Sequence, residues 1–295
     1  MHNILPKLSI VIPSYNQGQF IEETILSIIN QNYSNLELII IDGGSSDNSV
    51  DIIKKYESYI SFWVSEKDRG QSHAINKGIE KATGEWIAWM NSDDCYLPGA
   101  FDYIKSYLIN MELDFLFGDC SVGLTIGNAS EHKHNPKYKR DLYQILNFFY
   151  DVKHIIPSQS VFVRKTVVDR VGLLNENLHY CMDLDWFARI YLKTESRLFY
   201  SKTICFFRIH DVSKSSTSYF KMTNEAMDLA SQYKEYLEPV LKWKLQRLIK
   251  YYKAVLLYQN SKANSFKDIL LLGCKYFPIP LFHVKYRMLL KRALR

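Results

Sequence analysis

Apolar runs at residues 8–12, 36–41, 60–64 and 86–90 alternate with helical patterns through the N-terminal third of the chain. Each run is apolar at consecutive positions, so a strand formed there would bury both faces. That pattern predicts a parallel sheet covered by helices on both sides. The first helical stretch sets Phe20, Ile21, Thr24, Ile25, Ile28 and Ile29 on one side. Asp47 stands where a helix N-cap belongs, with its helix running to about Tyr56. Residues 71–81 read as a third helix, closed by Gly84.

Every one of these runs ends in polar side chains: Ser14-Tyr15-Asn16, Asp42-Gly43-Gly44-Ser45-Ser46-Asp47, Asp68-Arg69-Gly70-Gln71 and Asn91-Ser92-Asp93-Asp94. One such cluster is an ordinary turn, because Asn, Ser and Asp favour turns. Four at the carboxyl edge of one parallel sheet describe a ligand-binding crevice. The last run is the sharpest. Adjacent carboxylates repel unless a cation sits between them. Hard oxygen ligands suit Mg²⁺ or Mn²⁺, which carry substrate phosphates as well.

Beyond residue 115 the alternation loosens. Residues 115–117, 160–164 and 198–208 read as strands, 183–192 as helix, 130–140 as a polar loop, and the chain after 222 as helices. The five cysteines form no C-x-x-C pair and are odd in number, which predicts reduced thiols in a cytoplasmic protein. No basic segment followed by an apolar core opens the chain, and no stretch is long and apolar enough to span a bilayer, so neither leader nor spanning helix is expected.

The net charge of +6 is unevenly spread. Residues 240–295 hold 13 Lys and Arg against one acid, Asp268, which leaves the remainder at −6. Basic residues interleaved with aromatic and aliphatic ones predict peripheral contact with an anionic membrane, at the inner face of the cell membrane. The other reading is a helical appendage that packs on the catalytic domain or forms a homodimer. Nucleic acid is not expected, given the acidic body and the lack of a binding motif. No G-x-G-x-x-G follows the first strand, which argues against a nicotinamide dehydrogenase. The Gly-rich basic loop of a sugar nucleotidyltransferase is missing there too.

The segments Ser9–Asn16, Ile41–Asp47, Ala74-Ile75-Asn76-Lys77-Gly78, Ala82-Thr83-Gly84-Glu85 and Asn91–Asp94 together resemble family 2 glycosyltransferases. The resemblance is dense over 8–95, looser over 155–216 and absent from the C-terminal segment. It implies an α/β, single-domain A-type glycosyltransferase fold: a Rossmann-like, mostly parallel sheet flanked by helices, with a C-terminal helical extension. The catalytic domain would span 1–222, with a nucleotide-sugar half (1–95) and an acceptor half (96–222), and 223–295 would form the extension. The function implied is inverting, metal-dependent sugar transfer from a nucleotide-diphosphate sugar, UDP favoured, to a hydroxyl of a glycan or lipid-linked acceptor in surface-polysaccharide synthesis. A non-catalytic nucleotide-sugar-binding or scaffold subunit of the same fold is the alternative.

Roles follow from the matched positions. Pro13 and Tyr15 would line the base and ribose site, Asp42 would accept from the base, and Asp68 and Arg69 would sit near base or diphosphate. Asn91, Ser92 and Asp93 occupy the Asp-x-Asp motif, with Asp93 as ligand of Mn²⁺ or Mg²⁺. Asn91 replaces the first acid and brings no charge. His73 stands where relatives often carry an acid. Asp183, in Cys181-Met182-Asp183-Leu184-Asp185-Trp186, falls on the catalytic base, which must take a proton from the acceptor hydroxyl. Asp183 or Asp185 could equally cap the helix that follows. His210 would reach the metal or diphosphate, or else face solvent. Gln159, Asp94 and Asp185 are acceptor-side candidates, with Gln159 equally an ordinary polar residue at a strand start.

Overall fold

The computed structural model describes residues 5–131, 141–150, 155–210, 218–260 and 275. The chain divides into two compact units, one of residues 1–139 and 156–217, the other of 140–155 and 218–295. By this division residues 140–155, expected in the acceptor half, group with the C-terminal helices. The polar loop expected over 132–140, the serines Ser213, Ser215 and Ser216 that follow His210 in the segment resembling the family, and nearly all of 261–295 fall outside the described residues.

The first unit begins with β1 (Leu8–Ser14), α1 (Ile21–Ile29), β2 (Leu36–Asp42), α2 (Ser49–Lys55), β3 (Phe62–Ser65), α3 (Gln71–Lys81) and β4 (Trp86–Trp89). It continues through β5 (Cys95–Tyr96), α4 (Ala100–Leu108), β6 (Phe115–Gly123) and β7 (Ser130–Glu131). The second unit receives α5 (Leu142–Leu146). The first then resumes with β8 (Phe162–Arg164), α6 (Lys165–Val171), α7 (Met182–Lys193) and β9 (Arg197–Arg208). The second closes with α8 (Tyr219–Tyr233) and α9 (Pro239–Asn260).

All the described strands join one mixed sheet in the order β3-β2-β1-β4-β8-β6-β9-β5, with β7 paired to β6. The first four strands are parallel, as their two-faced apolar character demands. On one face Leu8, Ile10, Ile12, Leu38 and Ile40 pack with Ile21, Ile25 and Ile28 of α1, all essentially buried. The α1 positions recur at helical spacing, and each fully buried isoleucine contributes roughly 1.5–3 kcal/mol. On the other face α3 lies close to β1, and a Cβ at Gly78 would come within 2.2 Å of Val11 Cγ1. Antiparallel pairing of β4 with β8 extends the sheet into the second half of the unit, where β6 runs parallel to β9.

Because β2 and β4 flank β1, the winding reverses there, and the crevice of a doubly wound sheet opens outside the carboxyl ends of these two strands. Pro13 marks the opening. Pairing of β1 with β4 ends at Val11↔Trp89, whereas pairing with β2 continues to Ser14↔Asp42. Lacking an N–H, Pro13 sits where the ladder toward β4 has already parted.

In the second unit α8 and α9 meet through a 2.6 Å contact between the Tyr219 and Tyr252 hydroxyls, and Phe149 packs edge-on against Tyr252. The four described cysteines are buried thiols, outside any disulfide, and Cys274 lies outside the described residues. No described helix is long and apolar enough to cross a membrane.

Candidate active site

The turn after β4 is held from beneath. Thr24 Oγ1 of α1 donates to the carbonyls of Ser92 (3.0 Å) and Asp94 (2.8 Å), and the Asp94 N–H donates to the Asn91 carbonyl at 3.1 Å. This leaves the Asp93 carboxylate partly exposed at the crevice. His210 Nε2, two residues beyond β9, lies 2.9 Å from Asp93 Oδ2. The His210 ring packs on Phe20 with centroids 5.0 Å apart, and its Nδ1 is buried without a hydrogen-bond partner among the described residues. His210 is thus turned toward Asp93 rather than toward solvent.

The pair fits a divalent ion. The two groups are hydrogen-bonded to each other here, and their 2.9 Å separation is also that of neighbouring ligands in octahedral coordination at about 2.0–2.1 Å. Mn²⁺ accepts both carboxylate and imidazole, with diphosphate oxygens and water completing its shell. No cluster of three or more His, Cys, Asp or Glu residues suited to a metal exists among the described residues, so the protein would supply two ligands and the substrate others.

Asn91 carries no charge but is not idle. Its Oδ1 accepts from Gln71 Nε2 at 2.8 Å, and its Nδ2 donates to Asp94 Oδ2 at 3.1 Å. Asp94 is fully buried. It accepts from Gln159 Nε2 (2.6 Å) and from the backbone N–H of Arg208 (2.9 Å). Burial, and then the charge of Asp93, push its carboxyl up to about 7 against the pull of these donors. Asp94 and Gln159, expected on the acceptor side, both turn inward. Ser92 is buried as well.

On the donor side Tyr15 is exposed, and a Cβ on Gly43 would meet Asp68 Oδ2 at 2.5 Å and Tyr15 Cδ2 at 3.3 Å. A glycine keeps these two side chains close. Asp68 Oδ1 accepts the Gly70 N–H at 2.8 Å. Asp42 is fully buried and braces the turn after β2. Its Oδ2 accepts from the N–H groups of Gly44 and Ser45 and from Ser65 Oγ, and its Oδ1 accepts from Ser45 Oγ. Asp47 is not the cap of α2. Asn48 holds that position, and Asp47 instead ties the turn together, accepting from Ser49 and from the Gly18 N–H.

Arg69 points to Glu176, with Nε at 3.0 Å and Nη2 at 2.6 Å from Oε2. Glu176 lies in the segment leading to α7. Asn76 of α3 pins the same segment by bonding both the N–H and the carbonyl of Leu174. The start of α7 is fixed further by Trp89 of β4, whose ring lies 5.2 Å from Trp186 and 6.3 Å from Phe187. Asp183 sits in the first turn of α7, partly exposed, with Oδ1 accepting the Leu184 N–H at 2.8 Å. The cap is Cys181, so neither Asp183 nor Asp185 caps this helix. Asp185 is buried and paired with Arg189 at 2.8 Å, and Arg189 in turn donates to the carbonyls of Val171, Gly172 and Leu173. Asp185, expected on the acceptor side, is thus paired within α7.

The sequence assigns no role of its own to Arg208, in the segment Arg208-Ile209-His210, yet it joins several parts of this region. Its backbone binds Asp94, its Nε donates to the Asp93 carbonyl at 2.9 Å, and its Nη2 donates to Glu23 at 2.5 Å. A lone arginine closing an apolar strand is the available signal.

A carboxylate–imidazole pair at ion-ligand spacing and a partly exposed carboxylate at a helix start, on a doubly wound sheet, suit a transferase that works on nucleotide diphosphates. The profile of Glycosyl transferase family 2 matches residues 9–172, more than half of the chain, and the chain belongs to that family. It is a glycosyltransferase. An uncharacterised glycosyltransferase of Rickettsia typhi is 27% identical over 219 residues, covering 72% of this chain and 67% of that protein. The GalNAc(5)-diNAcBac-PP-undecaprenol beta-1,3-glucosyltransferase of Campylobacter jejuni is 28% identical over 141 residues, 46% of this chain and 45% of its own. Among solved structures, Staphylococcus aureus TarS in complex with UDP-GlcNAc superposes with a TM-score of 0.64 at 18% identity, covering 98% of this chain and 79% of that one. The mannosyltransferase PcManGT of Pyrobaculum calidifontis, in complex with GDP-Man and Mn²⁺, gives 0.61 at 16% identity, over 99% of this chain and 87% of its own. The structural likenesses establish the A-type fold.

Proposed function

We propose that this enzyme transfers a sugar, with inversion, from a nucleotide-diphosphate donor to a hydroxyl of a glycan or lipid-linked acceptor in surface-polysaccharide synthesis. The observation that carries the reading is the Asp93–His210 pair at the switch-point crevice. Asp93 and His210 would hold Mn²⁺ or Mg²⁺, whose chemistry when bound is Lewis-acid stabilisation of the departing diphosphate. Tyr15 and Asp68 would receive base and ribose, with Asp42, itself buried, holding the turn that shapes their site, and UDP is favoured because a carboxylate such as Asp68 suits the uracil N–H. Arg69 would exchange Glu176 for phosphate oxygens. Asp183 would take the acceptor proton as the hydroxyl attacks. A lipid-linked acceptor is supported by the C. jejuni relative, a GalNAc(5)-diNAcBac-PP-undecaprenol beta-1,3-glucosyltransferase.

The membrane contact rests on α9. It contains Lys242, Lys244, Arg247, Lys250 and Lys253 and no acid, and exposes Val240 and Trp243, with Arg247 stacked 5.0 Å over the Trp243 ring. A basic helix carrying an exposed tryptophan suits an anionic bilayer surface. Loss of co-sedimentation with phosphatidylglycerol vesicles on replacing Lys244, Arg247 and Lys250 by Glu would support it, and unchanged binding would exclude it.

The functional test is nucleoside-diphosphate release from UDP-, dTDP- and GDP-sugars with Mn²⁺, joined to thermal shift. Metal-dependent stabilisation by one nucleotide, lost in Asp93→Ala, is the expected result. Equal stabilisation of the parent and Asp93→Ala would remove the ion seat from the reading.

A further inference from the structure

We propose that Asp94 is a positioning residue: a buried carboxylate junction that holds Asp93 and His210 at ligand spacing, and so sets metal affinity while touching neither metal nor donor. The inference rests on the reading of Asp93 and His210 as the ion seat.

Three separate segments converge on this one side chain. The turn after β4 sends Asn91 Nδ2 (3.1 Å), the turn before β8 sends Gln159 Nε2 (2.6 Å), and the end of β9 sends the Arg208 N–H (2.9 Å). Both carboxylate oxygens are occupied, and the residue is 0% exposed, so nothing of it remains to meet a ligand. The Arg208 contacts connect it to the ion seat. With its backbone N–H on Asp94 and its Nε on the Asp93 carbonyl, Arg208 is clamped on two sides by the Asp93–Asp94 dipeptide. His210 stands two residues further on. Fixing Arg208 therefore fixes where the chain leaves β9, and with it the 2.9 Å approach of His210 Nε2 to Asp93 Oδ2. Gln159 carries the same restraint to the turn before β8.

A carboxylate can accept at both oxygens, whereas an amide offers one acceptor end and one donor end. An amide at this position would turn an N–H toward another N–H, and a buried unpaired donor forces its neighbours apart. Asp94→Asn keeps the volume and breaks the junction. Combining it with Gln159→Glu reverses the pair. The carboxylate introduced at position 159 then accepts from the amide N–H introduced at position 94, whose amide oxygen keeps the Arg208 N–H.

The measurement is Mn²⁺ affinity by electron paramagnetic resonance of free Mn²⁺, with saturating UDP, alongside a thermal melt. Outer-shell changes typically cost about 10–100-fold in metal affinity. Asp94→Asn is expected to weaken Mn²⁺ binding about tenfold or more in a protein that still melts cooperatively. The Asp94→Asn/Gln159→Glu double variant is expected to recover part of the loss, because Asn91 Nδ2, the third donor, still meets an N–H at position 94. A folded Asp94→Asn protein with parental Mn²⁺ affinity would overturn the proposal. Should Asp94→Asn not fold, Gln159→Leu, which removes one arm, is expected to weaken Mn²⁺ binding, and parental affinity there would overturn it equally. Asp93→Ala and His210→Ala in the same assay separate the two ideas. If neither alters Mn²⁺ affinity, the ion-seat reading fails. If both do and the Asp94 and Gln159 variants do not, only the junction fails.

Discussion

Glu37 and Asp94 are both buried carboxylates, and they sit at opposite ends of the parallel strands. Glu37, at the amino end of β2, accepts from Lys7 Nζ (2.6 Å), Ser9 Oγ (2.5 Å), Thr83 Oγ1 (2.6 Å) and the Thr83 N–H (2.7 Å). Burial pushes its carboxyl up, but these donors, one of them an ammonium, outweigh burial and bring it to about 2. Asp94, beyond the carboxyl end of β4, is met by neutral N–H donors and has a charged neighbour in Asp93, and there burial prevails and pushes it up to about 7. The amino edge is built so that its charge stabilises the fold. The carboxyl edge carries charge against local preference, which is the expected mark of a functional edge.

The contrast between the two edges should show most in catalysis. Asp93→Ala is expected to lower transfer by about 10³-fold or more, with the melting temperature close to the parent's, as read by nucleoside-diphosphate release and calorimetry. A fall of roughly 10²–10⁴-fold is expected for Asp183→Asn, without a change in thermal stabilisation by Mn²⁺–UDP. Substantial transfer by a folded Asp183→Asn protein would remove it as the base.

At the other edge the effect should fall on stability alone. Glu37→Gln is expected to cost about 2–3 kcal/mol in urea denaturation, with kcat/KM per folded molecule unchanged. Acid should expose the same group. A carboxyl held below its unfolded value adds stability that is present above the unfolded pKa and is lost as pH falls through the folded one. For Glu37 that window runs from about 4.5 down to about 2, and Glu37→Gln should flatten the stability profile there. Asp94 has the opposite sign, its ionisation opposing folding as pH rises from about 4 toward about 7. The smallest effect is steric. Gly78→Ala drives a methyl into Val11, and about 1–3 kcal/mol of destabilisation is expected from overpacking.

The donor half is largely legible in the sequence. Two-faced apolar runs give parallel strands, and strand ends carrying Asp42, Asp68 and Asp93 follow from counting where each run stops. Asp93 and His210 both stand out as candidate ligands, and the structure brings them together. What escapes is direction and long-range partnership. Nothing local distinguishes Asp93, which faces the crevice, from Asp94, which faces inward, because that choice depends on Gln159 and Arg208. Arg208 pairs with Glu23 across 185 residues of sequence, far beyond any periodicity. Asp47 has the spacing of a cap, yet its carboxylate is drawn instead to Gly18 in the facing loop. Asp185 has the look of a site residue, but Arg189, one helical turn away, claims it. The pattern of α4 is equally plain in Phe101, Ile104 and Leu108, although no motif draws attention to it.

Asp93 and His210 are separated by 117 residues of chain. A ribosome adding about 5–20 residues per second therefore needs about 6–23 s between the carboxylate and the imidazole. Through that interval β1 to β4 have been synthesised, but of the two proposed ion ligands only Asp93 has been made. β9 must then insert between β6 and β5 before Arg208 can reach Asp94 and deliver His210. On the proposed ion seat, the last strand of the sheet would also be the one that completes it, and a chain that stops before β9 would lack one of the two ligands.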